Sequence, residues 1–428
     1  MSNQVSSGTA SSASRRSFLQ TSAMVGGVGM MHGVYAAGSS HTLRLGLIGC
    51  GGRGTGAAAQ AMTADSDTKL VAMGDAFEDR LQRSLKTLKA HEVRNQVSVD
   101  PDHQFVGLDA FQKVIDSDVD VILLATPPHF RPQHLRAAID ANKHVFAEKP
   151  VAVDGPGVRS VLESTRLAKE RNLAIVSGLC WRYEDTTQEL MKRIHDGAIG
   201  EIFSAEAYRF GRGVWVRPRR PGMTEMQYQM HNWYYFTWMS GDFNVEQHVH
   251  ELDKVAWMMG DRYPVSCTAT GGRMVRTGKD YGHIYDSFSG VFNYDNGAKF
   301  YAASRHQPGC TSMNTTGASG TKGRVDVKAR QILGENPFKD ERPRTVMHQR
   351  EHDAMYAALR RGEIINNGEY MAKSTLMAIM QRMSAYSGQT ITWDDALNSE
   401  VRLGPTEYRW DVDIPVPKVA IPGRTRVI

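Results

Sequence analysis

Gly49, Gly51 and Gly54 form a G-x-G-x-x-G turn between an apolar run (43–48) and a helix-forming stretch (55–63). That order of strand, glycine turn and helix can cradle a dinucleotide pyrophosphate. Gly49 permits a tight turn, Gly51 a close approach of backbone to phosphate, and Gly54 close packing of helix on strand. The helix N-terminus adds free N–H groups and a partial positive charge, and Gly52 and Arg53 fall in the same phosphate-facing turn. A second apolar strand (69–74) ends at Asp75, 21 residues after Gly54. A carboxylate there can accept hydrogen bonds from the adenosine ribose hydroxyls and repels a 2′-phosphate, so NAD is expected over NADP. The competing reading is a turn that binds no nucleotide, with Asp75 as a helix cap.

Other residues of chemical interest lie further along. Thr126, Pro127 and His129 occupy the loop after the buried run 119–126, at the strand edge where open α/β sheets bind ligands. Glu148-Lys149-Pro150 follows the strand 144–147. A lysine clamped there by proline can be partly desolvated, which lowers its pKa and lets it polarise or deprotonate a hydroxyl. It also reads as a surface lysine capped by Glu148. Glu246, His248 and His250 recur at period two, which on an extended segment would turn all three to one side and suit Zn²⁺ or another divalent ion. On a helix, Glu246, His250 and Asp253 share one face instead, and Glu246 could orient His250. Helical spacing continues to Trp257, so the helix is preferred and no metal is expected; ordinary satisfied histidines are the third reading. Between these motifs, residues 210–240 hold Trp215, Tyr228, Trp233, Tyr234, Tyr235, Phe236 and Trp238, interleaved with Arg212, Arg217 and His231. Aromatic faces stack on sugar C–H surfaces, and they also serve as core or interface anchors.

The elements that must position these residues follow from the apolar pattern. Residues 43–150 alternate apolar strands with amphipathic helices (78–89, 110–116, 132–141), the signature of a parallel sheet covered on both faces. The strand 173–179 leads to Arg182 and Tyr183, which are expected to reach the substrate together with His231 and Trp233. A helix (186–196) and strands at 201–209, 265–274, 285–294 and 298–304 come next, the last two joined by the hairpin signal Asp295-Asn296-Gly297. Helices at 352–361 and 370–387 precede a proline-rich tail expected to lie extended on the surface or on a partner subunit.

At this point the chain resembles the Gfo/Idh/MocA oxidoreductase family. The resemblance rests on the glycine fingerprint, Ala125-Thr126-Pro127, Asn142-Lys143-His144-Val145 and Glu148-Lys149-Pro150, and covers about residues 41–400. It implies an α/β protein with an N-terminal Rossmann domain and a C-terminal α/β domain on an open, mostly antiparallel sheet. It also implies NAD(P)-linked chemistry on sugars or cyclitols, with Lys149 beside the nicotinamide and the reacting hydroxyl, His250 as the acid–base group and a homo-oligomeric state. The sequence departs from the family pattern where Glu246 replaces a usual Asp and His248 a usual Gly.

Length and composition bound the rest. A chain of 428 residues, 41% hydrophobic and 23% charged, reads as a soluble two-domain protein. The net charge of +5 is dispersed, and the one basic cluster, Arg217-Pro218-Arg219-Arg220, is short and proline-broken, so no nucleic-acid partner is expected. No apolar run is long enough to span a membrane. The four cysteines show no ligand spacing. Ser14-Arg15-Arg16-Ser17-Phe18-Leu19, with the apolar segment and small residues after it, reads as a twin-arginine export signal. The expected organisation is therefore a signal peptide (1–40), a Rossmann domain (41–184), a substrate and oligomerisation domain (185–400) and a tail (401–428). An exported enzyme far from free NAD must hold and recycle its cofactor. Two chemistries fit: sugar oxidoreduction, and glycosidase or lyase action by transient oxidation and elimination. A non-catalytic sugar- or nucleotide-binding protein is the third possibility.

Overall fold

Residues 41–427 are described by a computed structural model, and the twin-arginine pattern at 14–19 lies outside them. The first part of the chain alternates β1 (Leu43–Ile48), α1 (Gly52–Ala64), β2 (Thr68–Asp75), α2 (Glu78–Lys89), β3 (Gln104–Val106), α3 (Ala110–Asp116), β4 (Val121–Leu124), α4 (Arg131–Asp140), β5 (His144–Ala147), α5 (Gly155–Glu170) and β6 (Ile175–Ser177). The six strands form one parallel sheet in the order β3-β2-β1-β4-β5-β6. β4 and β5 are buried at every position, as strands covered by helices on both faces must be. The strand order reverses between β1 and β4, so a crevice opens beyond their carboxyl ends. Two glycines shape its floor. Gly49 has φ +95°, and a Cβ there would lie 2.6 Å from the Ala125 carbonyl carbon. A Cβ on Gly54 would lie 1.9 Å from the Gly49 carbonyl oxygen, so α1 seats on β1 only because both are glycine.

The second part runs α6 (Asp185–His195), β7 (Ile202–Gly211), α7 (Glu225–His231), α8 (Thr237–Ser240), α9 (Val249–Met258), β8 (Ser266–Gly272), β9 (Ser287–Asn293), β10 (Lys299–His306), β11 (Met313–Gly320), β12 (Gly323–Asp326), β13 (Gln331–Gly334), β14 (Phe338–Lys339), α10 (Met347–Arg360), α11 (Gly368–Ser387), β15 (Ile391–Thr392) and α12 (Trp393–Asn398). Its nine strands form a second sheet, β14-β13-β12-β11-β7-β10-β9-β8-β15, in which β7 and β10 are parallel and the other pairs antiparallel. α9 and α11 cover one face. The other leaves Phe203 and Tyr301 exposed.

Two features differ from the sequence reading. The strand expected over 173–179 is paired only from Ile175 to Ser177; Cys180–Tyr183 form a 3₁₀ turn. The stretch 185–400 does not stay with the second sheet: α10 packs on α1, and its Met355 and Tyr356 join the apolar core of the first sheet. The tail is extended, as expected, and lies on its own chain. The Leu403 amide donates to Asp154 (2.9 Å), and the Ile414 and Ala420 carbonyls accept from Gln229 and Tyr285 (2.9 Å each).

Candidate active site

A cleft of about 630 Å³ opens at the strand reversal and runs to the edge of the second sheet. Its nucleotide end is built from the glycine turn: Gly49, Gly51, Gly52, Arg53 and Gly54 all line it. A Cβ placed on Gly51 meets nothing within 4 Å, so the backbone there faces open cleft. The first turn of α1 carries no acid to neutralise its free N–H groups. Room, bare backbone and an unopposed helix N-terminus together fit a pyrophosphate. Asp75 lines the same wall, and both its oxygens are already engaged: Oδ2 accepts from the Cys50 amide (2.7 Å) and Oδ1 from that of Phe77 (2.9 Å). Burial raises its pKa, and these two N–H groups and the nearby Arg80 oppose the rise. Asp75 therefore fixes the glycine turn as well as facing the ribose end. Arg53 lines the cleft, but its guanidinium is held by Glu148 and Gln60.

Thr126 and Pro127 line the cleft; His129 does not. Its Nε2 lies 2.7 Å from the Tyr408 hydroxyl, and its ring packs edge-on against Trp238 with centroids 4.9 Å apart. The tail and the aromatic segment draw it off the nucleotide wall, and burial pushes its pKa down to about 4. The place expected for His129 is taken by Arg131 and His134. His134 stacks on Phe111 (centroids 4.0 Å apart) and holds Thr126 Oγ1 at 3.3 Å.

Beyond β5, Lys149 reaches across to the turn before α9. Its Nζ donates to the Glu246 backbone carbonyl (2.6 Å) and to Glu246 Oε1 (3.0 Å), with both side chains mostly buried. Glu246 thus holds Lys149, not His250 as the i, i+4 spacing suggested. A charge-assisted bond to an ammonium outweighs one to a neutral imidazole. His250 is neutral, because burial first and Lys149 next hold its pKa well below the usual histidine range. It lines the cleft with Nδ1 buried and without a partner. An unprotonated imidazole beside a positioned ammonium can take a hydroxyl proton while the ammonium holds the oxygen.

The extended metal reading fails at this segment. Asn244–His248 form a π-helical turn that runs into α9, so residues two apart do not share a side. His248 is fully buried, with Nδ1 3.1 Å from Asn244 Oδ1 and Nε2 3.3 Å from the Ala207 carbonyl. It is a core histidine and does not line the cleft. Asp253 also turns away from the cleft, accepting from Arg182 Nη2 and Ser374 Oγ (2.8 Å each).

Of the expected substrate contacts, Trp233 lines the cleft with Lys149, Glu246 and His250; Arg182, Tyr183 and His231 do not. Arg182 forks between Asp253 and Asp261 and lies over the Tyr370 ring at 3.9 Å. Tyr183 donates to Asn367 Oδ1 (2.6 Å). The His231 carbonyl accepts from Arg80 (3.1 Å) and Arg217 (3.3 Å), and burial pushes its ring pKa down to about 4. These residues hold elements together. The aromatic segment divides likewise: Tyr228, Tyr234, Tyr235, Phe236 and Trp238 are buried in a separate core, while Trp215 and Trp233 face the cleft with centroids 5.8 Å apart.

Besides Arg131 and His134, sequence reasoning missed Arg80, Arg209, Gln247 and His348 on this wall. Arg209, near the end of β7, and Gln247, beside Glu246, stood close to recognised motifs. His348 had no local signal, since α10 brings it back 199 residues after Lys149.

The family model described as "Oxidoreductase family, NAD-binding Rossmann fold" matches residues 43–178, and the GFO/IDH/MocA C-terminal domain model matches 187–326. Together they cover more than half the chain. An inositol 2-dehydrogenase of Rhizobium meliloti (strain 1021) is 25% identical over 256 residues, 60% of this chain and 66% of that protein. A 2,7-anhydro-N-acetylneuraminate hydratase of Escherichia coli (strain K12) is 24% identical over 208 residues, 48% of this chain and 51% of that protein. The chain thus spans about half to two thirds of these relatives' lengths. In fold, it is similar to aldose-aldose oxidoreductase from Caulobacter crescentus, solved with glycerol: TM-score 0.63, 17% identity, 82% of this chain and 100% of that one.

Proposed function

This chain belongs to the GFO/IDH/MocA oxidoreductase family, and from that premise we propose that it oxidises a secondary hydroxyl of a carbohydrate or cyclitol with NAD. The observation that carries the proposal is Lys149, fastened by Glu246 at the end of β5, beside a neutral His250 in the cleft that the glycine turn enters. Bound NAD supplies the hydride acceptor. The glycine turn and the α1 N-terminus would hold the pyrophosphate, and Thr126 and Pro127 would wall the nicotinamide end. Lys149 holds the substrate oxygen, and His250 takes the hydroxyl proton as the C–H hydride leaves. Trp215 and Trp233 offer faces to the sugar ring.

The Arg15-Arg16 pattern supports export by the twin-arginine route as a folded protein, which implies a retained, recycled cofactor. Phe203 and Tyr301, exposed on the uncovered sheet face, support a homo-oligomer. Transient oxidation followed by elimination is the second reading, favoured by the similarity to an anhydro-sugar hydratase. Mass spectrometry of nucleotide released from the denatured, purified protein tests the retained cofactor. About one NAD(H) per chain is expected; no nucleotide, with weak binding when it is added, would overturn it.

A further inference from the structure

We propose that Cys180, His348 and Glu351 form a three-ligand site for a zinc-type divalent cation beside the candidate active site. Among the described residues, they are the group of metal-ligating side chains whose donor atoms converge: one atom from each lies within 4.8 Å of the other two. Cys180 opens the 3₁₀ turn after β6, and His348 and Glu351 stand three apart in the first turns of α10. α10 packs on α1 and on that 3₁₀ turn, which closes the triad. His348 Nε2 lies 4.0 Å from Cys180 Sγ, while its other ring nitrogen, Nδ1, lies 3.4 Å from Glu351 Oε1; one of the two would serve as the ligand.

The second observation is an unsatisfied group. Glu351 is fully buried, and its Oε2 has no hydrogen-bond partner. Its Oε1 faces Arg53 Nη2 at 3.8 Å and His348, so the free oxygen is the one a further cation would take. A buried carboxyl oxygen left without a partner is costly, and a metal bond would satisfy it. The wider charge count tolerates the ion, because Arg53 is already paired with Glu148, and Lys149 with Glu246.

The ligand set specifies the metal. One thiolate, one imidazole and one carboxylate make a borderline-soft set that suits zinc, whose bonds to S, N and O run about 2.0–2.3 Å. Donors within 4.8 Å of one another would have to draw closer to meet at such a centre. A bound dication would hold Cys180 as thiolate and Glu351 as carboxylate, releasing to solvent any proton either carries, with the His348 imidazole as the third ligand. Three protein ligands leave a fourth position. His348 lines the cleft, so that position is within reach of water or a substrate oxygen.

The sequence could not display this set, because Cys180 and His348 are 168 residues apart and share no ligand spacing. The expectation of no metal was drawn from spacing alone, and the proposed site would revise it.

Cobalt(II) titration of the chelator-stripped full chain, without nucleotide or substrate, tests the site independently of the redox reading. The expected result is one equivalent bound per chain, with a thiolate-to-cobalt charge-transfer band and the intense visible bands of tetrahedral geometry. Cys180→Ser should abolish the charge-transfer band, Glu351→Gln should weaken binding at least tenfold, and Cys310→Ser, at the exposed cysteine, should change neither. Circular dichroism checks that each variant is folded. Should Cys180→Ser unfold, His348→Asn, at a half-exposed side chain, carries the same test through loss of tetrahedral cobalt. Absence of a charge-transfer band in the wild type, or its survival in folded Cys180→Ser, would overturn the proposal.

Discussion

Gly51 and Gly54 stand three residues apart in one turn and answer an added side chain in opposite ways. At Gly54 a Cβ would collide with the Gly49 carbonyl, so substitution there strikes the fold. At Gly51 a Cβ enters open cleft. Gly51→Val is therefore expected to leave thermal stability within about 0.5 kcal/mol of wild type while reducing NAD affinity at least a hundredfold, by calorimetric titration. Unchanged affinity would place the pyrophosphate elsewhere. This division was legible in the sequence, because three glycines after an apolar strand demand one backbone path. The acid–base pair was legible only in part. Lys149 and His250 were named from their motifs, but the partner of Glu246 was not, since choosing between His250 and a lysine 97 residues away needs tertiary structure.

At the scale of elements, Arg182 ties the turn after β6 to α9 through Asp253 and to the end of that helix through Asp261. Its side chain is buried, so removing it leaves a buried carboxylate without its cation. Arg182→Met is expected to destabilise the protein by about 3–5 kcal/mol in chemical denaturation, with little change in substrate KM for the folded fraction. A large rise in KM at full stability would restore it as a substrate contact. Position close to a recognised strand made Arg182 look like a site residue, yet an arginine near a sheet edge clamps or binds according to where acids from other elements fall. The aromatic segment carries the same lesson. Its seven rings share one composition, and only packing separates Trp215 and Trp233 on the cleft from the five that form a core.

Over the whole molecule, the parallel sheet and its helices followed from local apolar periodicity, and the hairpin of β9 and β10 from Asp295-Asn296-Gly297. The return of α10 to the first sheet did not, because an amphipathic helix states which face it buries and not against what. That return brings His348 to the wall of the cleft and buries Glu351 near Arg53. On the proposed function, this architecture sets Lys149 and His250 against a nicotinamide and a sugar hydroxyl. The most direct test loads the protein with NAD⁺, adds a panel of cyclitols and pyranoses, and records the near-ultraviolet absorbance of reduced nicotinamide in a single turnover. A burst with at least one polyol is predicted, slowed about 10²–10⁴-fold in Lys149→Ala with NAD affinity unchanged. No burst from any polyol at saturating nucleotide, or equal bursts in the two proteins, would contradict it.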